Sequence, residues 1–422
     1  GIGLFLEKLA GETGKDHEIL DQTDAMFGEL YSWYLRDPKY HDKVQKLVQS
    51  AFAGKPKDII SQSVAKALYG EISPYSATRL ERFAACAFAH FLQYGMKLTE
   101  RVEYEFKAMD MGNVMHEALE SFAEEVRKRG LKWTELTEQE RNEIADRCLD
   151  NIVADYGNTV LKSSARNEYM IERTRRILRR TVWALQKQLE QGEFQPEGFE
   201  VTFGGGRIDR VDIMEDQNKV YVKVIDYKTG NTSFDLVYLY HGLQLQLMIY
   251  LDGALRVEQK KYPDKEIIPA GVFYYNIKDP MIQEKIDADV EAVSAGLMKE
   301  LKMNGLVQAD PELVYRMDSS LGSIPVAFNK DGSFRKNSSV ADRTQFAVLG
   351  RYVRTKIEKI RSSILEGDAE VSPYELGKKN ACTYCPYMTV CGFDRRLSGY
   401  EFRRLKNFSD EELWKAFDRE AE

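Results

Sequence analysis

The hydrophobic period of the chain changes from helical spacing to strict alternation at Phe199. Three short strands with a period of two are predicted in succession, separated by turn-forming residues. They span residues 199–203, 207–214 and 219–227. A helix is predicted next at about 235–257, and a strand rich in Val, Phe and Tyr at 270–276. Strands that pair in succession and then alternate with a helix form a sheet covered by helices, so the sequence predicts an α/β core.

Long helical segments surround this predicted core. Outside residues 1–70, helices are predicted at about 76–94, 109–129, 138–156, 168–190, 282–303 and 342–365. Residues 1–70 have the pattern of helical hairpins with a break at Asp37-Pro38. We therefore predict two units: a helical scaffold at 1–72 and a main unit at 73–422.

Composition excludes several classes of protein. Five cysteines among 422 residues are too few for a secreted disulfide scaffold. The net charge of -7 provides no global electrostatic attraction for nucleic acid. No targeting segment and no apolar run of about 20 residues is visible, so we expect a cytoplasmic protein without a membrane partner. Residues 11–15 (GETGK) fail the phosphate-loop template, which predicts no ATP site.

The strongest chemical signal combines Asp209 on the second predicted strand with Asp226 and Lys228 at the end of the third. Side chains two positions apart on a strand project from the same face. If the strands pair as a meander, Asp209 approaches that face as well. Converging carboxylates bind a hard divalent cation, and a neighbouring lysine stabilises charge that develops on a phosphoryl group. The pattern therefore indicates metal-assisted phosphodiester cleavage.

Further polar residues occur in order around this pair. Glu200 lies on the first strand, His116 on an upstream helix, and Gln246 and Tyr250 one helical turn apart on the following helix. A separate arginine-rich helix carries Arg173, Arg175, Arg176, Arg179 and Arg180. Such a helix is either a solvated face or a phosphate-contacting face, and we select Arg173, Arg176 and Arg180 as candidate DNA contacts.

Three cysteines form a tight cluster, Cys382-x2-Cys385-x5-Cys391. A closed four-thiolate site needs one more ligand, and Cys86 and Cys148 are the candidates. Cys148 lies on the apolar stripe of its helix, which favours a buried thiol there. The ligand chemistry also allows zinc, but zinc sites usually contain two paired Cys-x2-Cys units. One distant and three clustered cysteines suit an iron–sulfur cluster better.

With these motifs the chain resembles the RecB-like nucleases of the PD-(D/E)XK superfamily. The family motifs are Gly-x-x-x-His, a Glu on the first strand, Gly-x-Ile-Asp, Asp-x-Lys and Gln-x-x-x-Tyr. Here they stand at residues 112–116, Glu200, 206–209, 226–228 and 246–250. The resemblance implies a restriction-endonuclease-like α/β core, with a mixed sheet flanked by helices and large helical insertions.

The same resemblance implies roles for individual residues. His116, Asp209 and Asp226 would ligate magnesium or manganese, together with a backbone carbonyl of residue 224 or 225. Lys228 would be the catalytic lysine, and Gln246 and Tyr250 would position DNA or the metal shell. Two near-duplicates, Asp212 and Gln244, rank second because the motif spacing favours Asp209 and Gln246.

A second set of motifs resembles the AddB-type subunits of the AddAB helicase–nucleases and related iron–sulfur nucleases. Those proteins carry Ser-x-Thr/Ser-x-Leu-Glu-x4-Cys-Pro-Phe before the core and Cys-x2-Cys-x5-Cys after it. Here the first segment begins at Ser76 and leads to Cys86, with Ala87 in place of the usual proline. The resemblance implies that one 4Fe-4S cluster, bound by Cys86, Cys382, Cys385 and Cys391, connects the two ends of the nuclease unit.

The motifs together predict a magnesium-dependent DNA exonuclease. It would act on single strands unwound by an AddA-type helicase partner, in double-strand break processing and recombinational repair. Residues 1–72 would then be the end of a helicase-like body. Two alternatives stay open: a free-standing RecB-like single-strand nuclease, and a non-catalytic DNA-binding or assembly module that keeps the fold.

Overall fold

The computed structural model describes residues 22–51, 59–70, 76–99, 108–155, 164–204, 206–283, 289–396 and 399–421. Three helices lie near the N-terminus, α1 (Gln22–Arg36), α2 (His41–Ala51) and α3 (Gln62–Tyr69). The break at Asp37-Pro38 separates α1 from α2 as the sequence predicts. The segment that resembles a phosphate loop, residues 11–15, lies outside the described residues.

A single predicted helix at 76–94 is in fact interrupted at Cys86. Helix α4 (Ala77–Ala85) begins after Ser76, whose Oγ accepts the Arg79 amide at 3.4 Å. Cys86 has extended backbone angles, φ -165° and ψ 117°, and a short helix α5 (Ala87–His90) and a π-helical turn (Phe91–Gly95) follow. The interruption turns the chain at the cysteine, which a count of apolar spacing does not detect.

Three long helices pack on one face of the sheet. They are α6 (Ala108–Lys128), α7 (Glu138–Asp155) and α8 (Ala165–Glu190), close to their predicted bounds. Their apolar stripes form a core with the inward side chains of the central strands, including Phe122, Leu149 and Leu185. This face therefore holds the helical insertions that precede the strands in the sequence.

The described strands form a six-stranded mixed sheet in the order β1-β2-β3-β4-β5-β6. They are β1 (Gln195–Phe203), β2 (Gly206–Asp216), β3 (Lys219–Lys228), β4 (Glu266–Asn276), β5 (Asn304–Gln308) and β6 (Val340–Ala341). The first three strands are antiparallel neighbours, as the meander prediction requires. Strand β4 runs parallel to β3, with Val224 opposite Val272.

The opposite face of the sheet is covered by α10 (Gln246–Lys261) and α13 (Arg343–Glu366). The predicted helix at 235–257 is two helices, since α9 (Leu236–Tyr240) ends before a turn at Gly242. That glycine has a φ of +77°, which a residue with a side chain rarely adopts. The turn allows α10 to begin at Gln246, beside the end of β3.

The predicted helix at 282–303 is shorter than expected. Helix α11 (Val290–Glu300) is followed by β5 and by α12 (Pro311–Met317). A Cβ atom on Gly305 would lie 1.9 Å from the Val272 carbonyl oxygen, so only glycine permits the close pairing of β5 with β4. The Asn304-Gly305 pair is too short a signal to reveal this strand from the sequence.

A small sheet forms near the C-terminus from β7 (Tyr374–Leu376), β8 (Lys379–Asn380) and β9 (Arg403–Arg404). It encloses the cysteine-bearing loop, which contains the short helix α14 (Met388–Cys391). Helix α15 (Asp410–Ala421) then packs against α13. Among the described residues no helix has the length and apolar character needed to cross a membrane.

Candidate active site

Two aspartates lie side by side at one end of the sheet. The register that pairs Arg210 with Ile225 across β2 and β3 brings Asp209 next to Asp226. Asp209 Oδ2 accepts the Tyr227 amide at 2.7 Å, which fixes this carboxylate against the strand that bears its neighbour. Both side chains are nearly buried, and two carboxylates at this proximity repel each other unless cations intervene.

His116 and Glu200 complete a cluster with Asp209. His116 Nδ1 lies 3.4 Å from Asp209 Oδ2 and 3.7 Å from Glu200 Oε1, and one ligand atom from each residue falls within 4.8 Å of the others. Burial favours the neutral imidazole, but hydrogen bonds and charges from Asp209 and Glu200 outweigh it and raise the pKa of His116 to about 10. Glu200 itself has a φ of +49°, an unusual conformation for a non-glycine residue in a strand.

A chain of hydrogen bonds extends from Asp226 onto α10. Lys228 Nζ lies 2.7 Å from Asp226 Oδ2 and donates to Gln246 Oε1 at 2.8 Å. Gln246 Nε2 in turn contacts the Tyr250 hydroxyl at 2.9 Å. Burial, and then the charge of Asp209, raises the pKa of Asp226 to about 7, although Lys228 opposes the shift. The six predicted catalytic residues and His116 thus lie in one continuous site.

A profile of the PD-(D/E)XK nuclease superfamily matches residues 74–392, which is most of the chain. The chain belongs to the PD-(D/E)XK nuclease superfamily. The predicted α/β fold class is confirmed, and the mixed sheet with helices on both faces agrees with it. The matched segment includes Asp209, Asp226 and Lys228, the residues that the sequence predicts for the site.

Relatives with high similarity are named as the B subunits of ATP-dependent helicase/deoxyribonucleases. The chain is 41% identical to that of Lachnoclostridium phytofermentans over 97% of its own length, 34% identical to that of Alkaliphilus metalliredigens over 94%, and 33% identical to that of Thermoanaerobacter sp. over 96%. It spans 37% of the length of each of these curated relatives. The names agree with the predicted relationship to AddB-type subunits.

The two near-duplicate residues occupy structural positions outside the nuclease site. Asp212 is fully buried, where it accepts bonds from the Arg210 guanidinium at 2.5 and 2.9 Å and pairs with Lys223 Nζ at 2.9 Å. Gln244 accepts the Asp235 amide at 2.9 Å and donates to the Ser233 carbonyl at 2.9 Å, within the loop before α10. The preference for Asp209 and Gln246 therefore agrees with the geometry.

Glu81 belongs to the site, although the sequence motifs assign it no role. Its Oε1 accepts the amides of Leu245 and Gln246 at 2.7 and 2.9 Å, and so caps the N-terminus of α10 from another helix. Burial raises the pKa of Glu81 to about 7, although both amides and Lys228 favour the carboxylate. Its only sequence signal is its place in the Ser-x-Thr-x-Leu-Glu segment that precedes Cys86.

The arginine-rich helix α8 is mostly engaged with carboxylates. Arg176 Nε lies 2.5 Å from Asp279 Oδ2, and Arg180 Nε lies 3.8 Å from the other oxygen of the same residue. Arg175 and Arg179 pair with acidic residues of α7, and Arg173 is exposed. Of the two interpretations of this helix, a solvated face and a phosphate-contacting face, the ion pairs favour the solvated face.

The four clustered cysteines meet at a small cavity between α5 and the C-terminal loop. Cys86, Cys382, Cys385 and Cys391 all line it, and none forms a disulfide. Burial, and then the neighbouring thiols, raises the pKa of Cys382 to about 11. Cys148 is buried among α6–α8 in a separate core, as its helical spacing predicts.

Proposed function

We propose that the chain is the metal-dependent DNA nuclease unit of a helicase–nuclease, cleaving phosphodiester bonds of single strands. One observation carries the proposal: Asp209, Asp226 and Lys228 converge at one end of the sheet, with His116 and Glu200 beside them. Membership of a nuclease superfamily supports the interpretation of this arrangement as a site for phosphodiester cleavage.

The donor set fits a magnesium or manganese ion. His116, Asp209 and Asp226 offer one nitrogen and several carboxylate oxygens. Glu200 adds a further carboxylate, since one ligand atom each of His116, Glu200 and Asp209 lies within 4.8 Å of the others. A bound ion would polarise the phosphate and lower the pKa of a water molecule. Lys228, held by Asp226 and Gln246, is placed to stabilise charge on the phosphoryl oxygens. Tyr250 orients Gln246 and so limits the positions open to that lysine.

A nuclease assay tests this proposal. With end-labelled single-stranded DNA and magnesium, Asp226→Ala and Lys228→Ala should each lower the cleavage rate by more than about a hundredfold, because each removes a group that acts on the reacting phosphate. Asp331→Ala, a substitution in an exposed loop, should leave the rate unchanged. DNA binding without cleavage under any divalent metal would instead support a non-catalytic binding module.

We also propose that Cys86, Cys382, Cys385 and Cys391 bind one 4Fe-4S cluster. All four thiols line one cavity, and Cys382 lies near enough to the other three for their charges to add to the effect of burial in raising its pKa. Zinc sites usually contain two paired Cys-x2-Cys units. One distant and three clustered cysteines suit a 4Fe-4S cluster better, in which each sulfur binds a different iron.

The names of the relatives support a partner and a pathway. Each is named as one subunit of an ATP-dependent helicase/deoxyribonuclease, which implies a second subunit. We infer an AddA-type helicase partner, a heterodimer, and a cytoplasmic role in double-strand break processing. Co-expression with such a helicase tests this: the chain, within its full-length subunit, should co-purify with it in equimolar amounts.

A further inference from the structure

A groove of about 550 Å³ lies between α10 and α13, and Thr202, Phe203 and Gly204 at the end of β1 line one end of it. Helix α10 lines it with residues at helical spacing, Ile249, Asp252, Gly253, Arg256, Val257 and Lys260. Helix α13 lines the facing wall with Gly350, Val353, Arg354, Ile357 and Arg361. Each wall of the groove is thus formed by one face of one helix, on which apolar and small residues alternate with cationic residues.

The charge of this groove opposes that of the whole chain. Four cationic side chains line it, Arg256, Lys260, Arg354 and Arg361, against a single carboxylate, Asp252. Asp252 contacts both Arg256 and Arg354, at 2.5 and 2.9 Å, so one negative charge is shared by two guanidinium groups. Arg361 contacts Glu358 at 3.0 Å. The lining remains net positive in a protein whose net charge is -7.

The groove lies next to the proposed catalytic hydrogen-bond chain. Phe203 lines one end of the groove, and its ring meets the Tyr250 ring edge-on with centroids 5.9 Å apart. Gly253 makes this contact possible, because a Cβ atom there would lie 2.6 Å from the Phe203 ring. Tyr250 connects through Gln246 to Lys228. A chain of nucleotides that leaves the acidic cluster over this aromatic pair would therefore enter the groove.

We propose that this groove binds the sugar–phosphate backbone of the single DNA strand that is cleaved at the acidic cluster. A basic channel lined in part by an aromatic side chain is the usual combination for binding single strands without sequence preference. The proposal rests on the proposed nuclease function, since it assigns the path of that substrate.

Binding measurements in calcium separate this site from catalysis. Fluorescence anisotropy with a labelled oligodeoxythymidine should show Lys260→Glu weakening affinity about tenfold, with the salt dependence reduced by about 0.7 in slope for each phosphate that is no longer bound. The double variant Arg256→Ala/Lys260→Ala removes the same two units of positive charge and should weaken binding to a similar extent. Lys330→Glu makes the same charge change on an exposed loop near β6 and should bind as the wild type does.

Unchanged affinity in Lys260→Glu and in the double variant would overturn the proposal. An equal loss in Lys330→Glu would also overturn it, because the effect would then be one of net charge. If the groove variants bind DNA normally but fail to assemble with the helicase partner, the groove is a protein-docking surface instead. Failure of the nuclease function is separately visible, as a wild-type protein that binds through the groove yet cleaves nothing in magnesium.

Discussion

Asp209 and Asp212 stand three positions apart on β2, and that odd separation places their side chains on opposite faces. Asp209 contacts His116 of α6 in the acidic cluster. Asp212 is buried beside Arg210 and Lys223. Burial alone would raise the pKa of Asp212, but these two cations outweigh burial and hold the pKa below its ordinary value. Asp209 therefore lies beside another carboxylate, Asp226, whereas Asp212 neutralises the buried Arg210 and Lys223.

Exchange of each aspartate for asparagine should separate these roles. Asp212→Asn should lower the free energy of unfolding by about 3–5 kcal/mol, because Arg210 and Lys223 would remain buried without a counter-charge. Asp209→Asn should abolish cleavage with little loss of stability, since it relieves repulsion with Asp226. Urea denaturation and the DNA cleavage assay report the two effects. Equal losses of stability in both variants would contradict the assignment.

His90 is a buried, neutral histidine in the N-terminal part of the nuclease unit. Arg79 Nε donates to His90 Nε2 at 3.2 Å, and the rings of Tyr69, Phe83 and Tyr94 surround the imidazole. Burial, followed by the charges of Arg79 and Arg82, lowers its pKa to about 3. The folded protein therefore does not accept a proton that the unfolded chain takes up below about pH 6.5.

Stability should consequently fall as the pH drops below the unfolded pKa of His90. Above about pH 6.5 His90 is neutral in both the folded and the unfolded protein, and its full contribution to the free energy of unfolding is present. This contribution is lost as the pH approaches 3. Between pH 7 and about pH 5 the loss from this residue is about 2 kcal/mol. His90→Gln should show a correspondingly shallower decline in urea denaturation across that range. Parallel curves for the two proteins would contradict this account.

At the scale of elements, α4 and α10 are joined by one carboxylate. Helix α10 has no side-chain cap of its own, and Glu81 of α4 binds its first two free amides. These bonds set the position of Gln246, and through it the position of Lys228. Because α4 also ends at Cys86, the same helix connects the cysteine cavity with the site of Lys228.

Removal of Glu81 should therefore affect turnover more than stability. Glu81→Ala should lower kcat about tenfold with an unchanged KM for DNA, because loss of the cap displaces Gln246 by a fraction of an ångström. Glu81→Gln should restore most of the rate, since its amide oxygen can accept both backbone donors. Glu258→Ala changes another buried glutamate on the far half of α10, and should lower stability while kcat stays constant. A rate loss in Glu81→Gln equal to that in Glu81→Ala would argue against positioning.

At the scale of the whole molecule, the cysteines connect distant parts of the sequence. Cys86 precedes the entire sheet, and the other three proposed ligands follow it. A cross-link that closes a loop of this length lowers the entropy of the unfolded chain, which corresponds to a stabilisation of about 6 kcal/mol at 25 °C. A cluster at this position would therefore stabilise the nuclease unit as a whole, without participating in cleavage.

Cys86→Ser should remove the cluster and its stabilisation. Protein purified anaerobically should be brown, with absorbance near ~400 nm, and the variant should lose this colour and unfold at a lower temperature. Cys148→Ser alters a thiol in the separate helical core and should retain the colour. A colourless wild-type protein with one zinc per chain would refute the iron–sulfur assignment.

Local patterns predicted much of this protein correctly. The alternation of apolar and polar residues predicted β1, β2 and β3, and helical spacing of apolar residues predicted α6, α7, α8 and α13. Both patterns arise because one face of a single strand or helix is buried. The Asp-x-Lys pair was recognisable because period two puts Asp226 and Lys228 on the same face. Ser76, Asp37 and Pro38 marked helix ends through local backbone chemistry alone.

Only the tertiary structure decided what depends on contacts between distant elements. The strand β5 needed the close approach of Gly305 to Val272, and the interruption at Cys86 has no periodic signature. The role of Glu81 and the basic groove both arise from helices that are neighbours in space and far apart in sequence. By itself the sequence determined the elements and the order of the motifs; the packing of those elements determined which polar groups meet, because hydrogen bonds and charges act over a few ångströms.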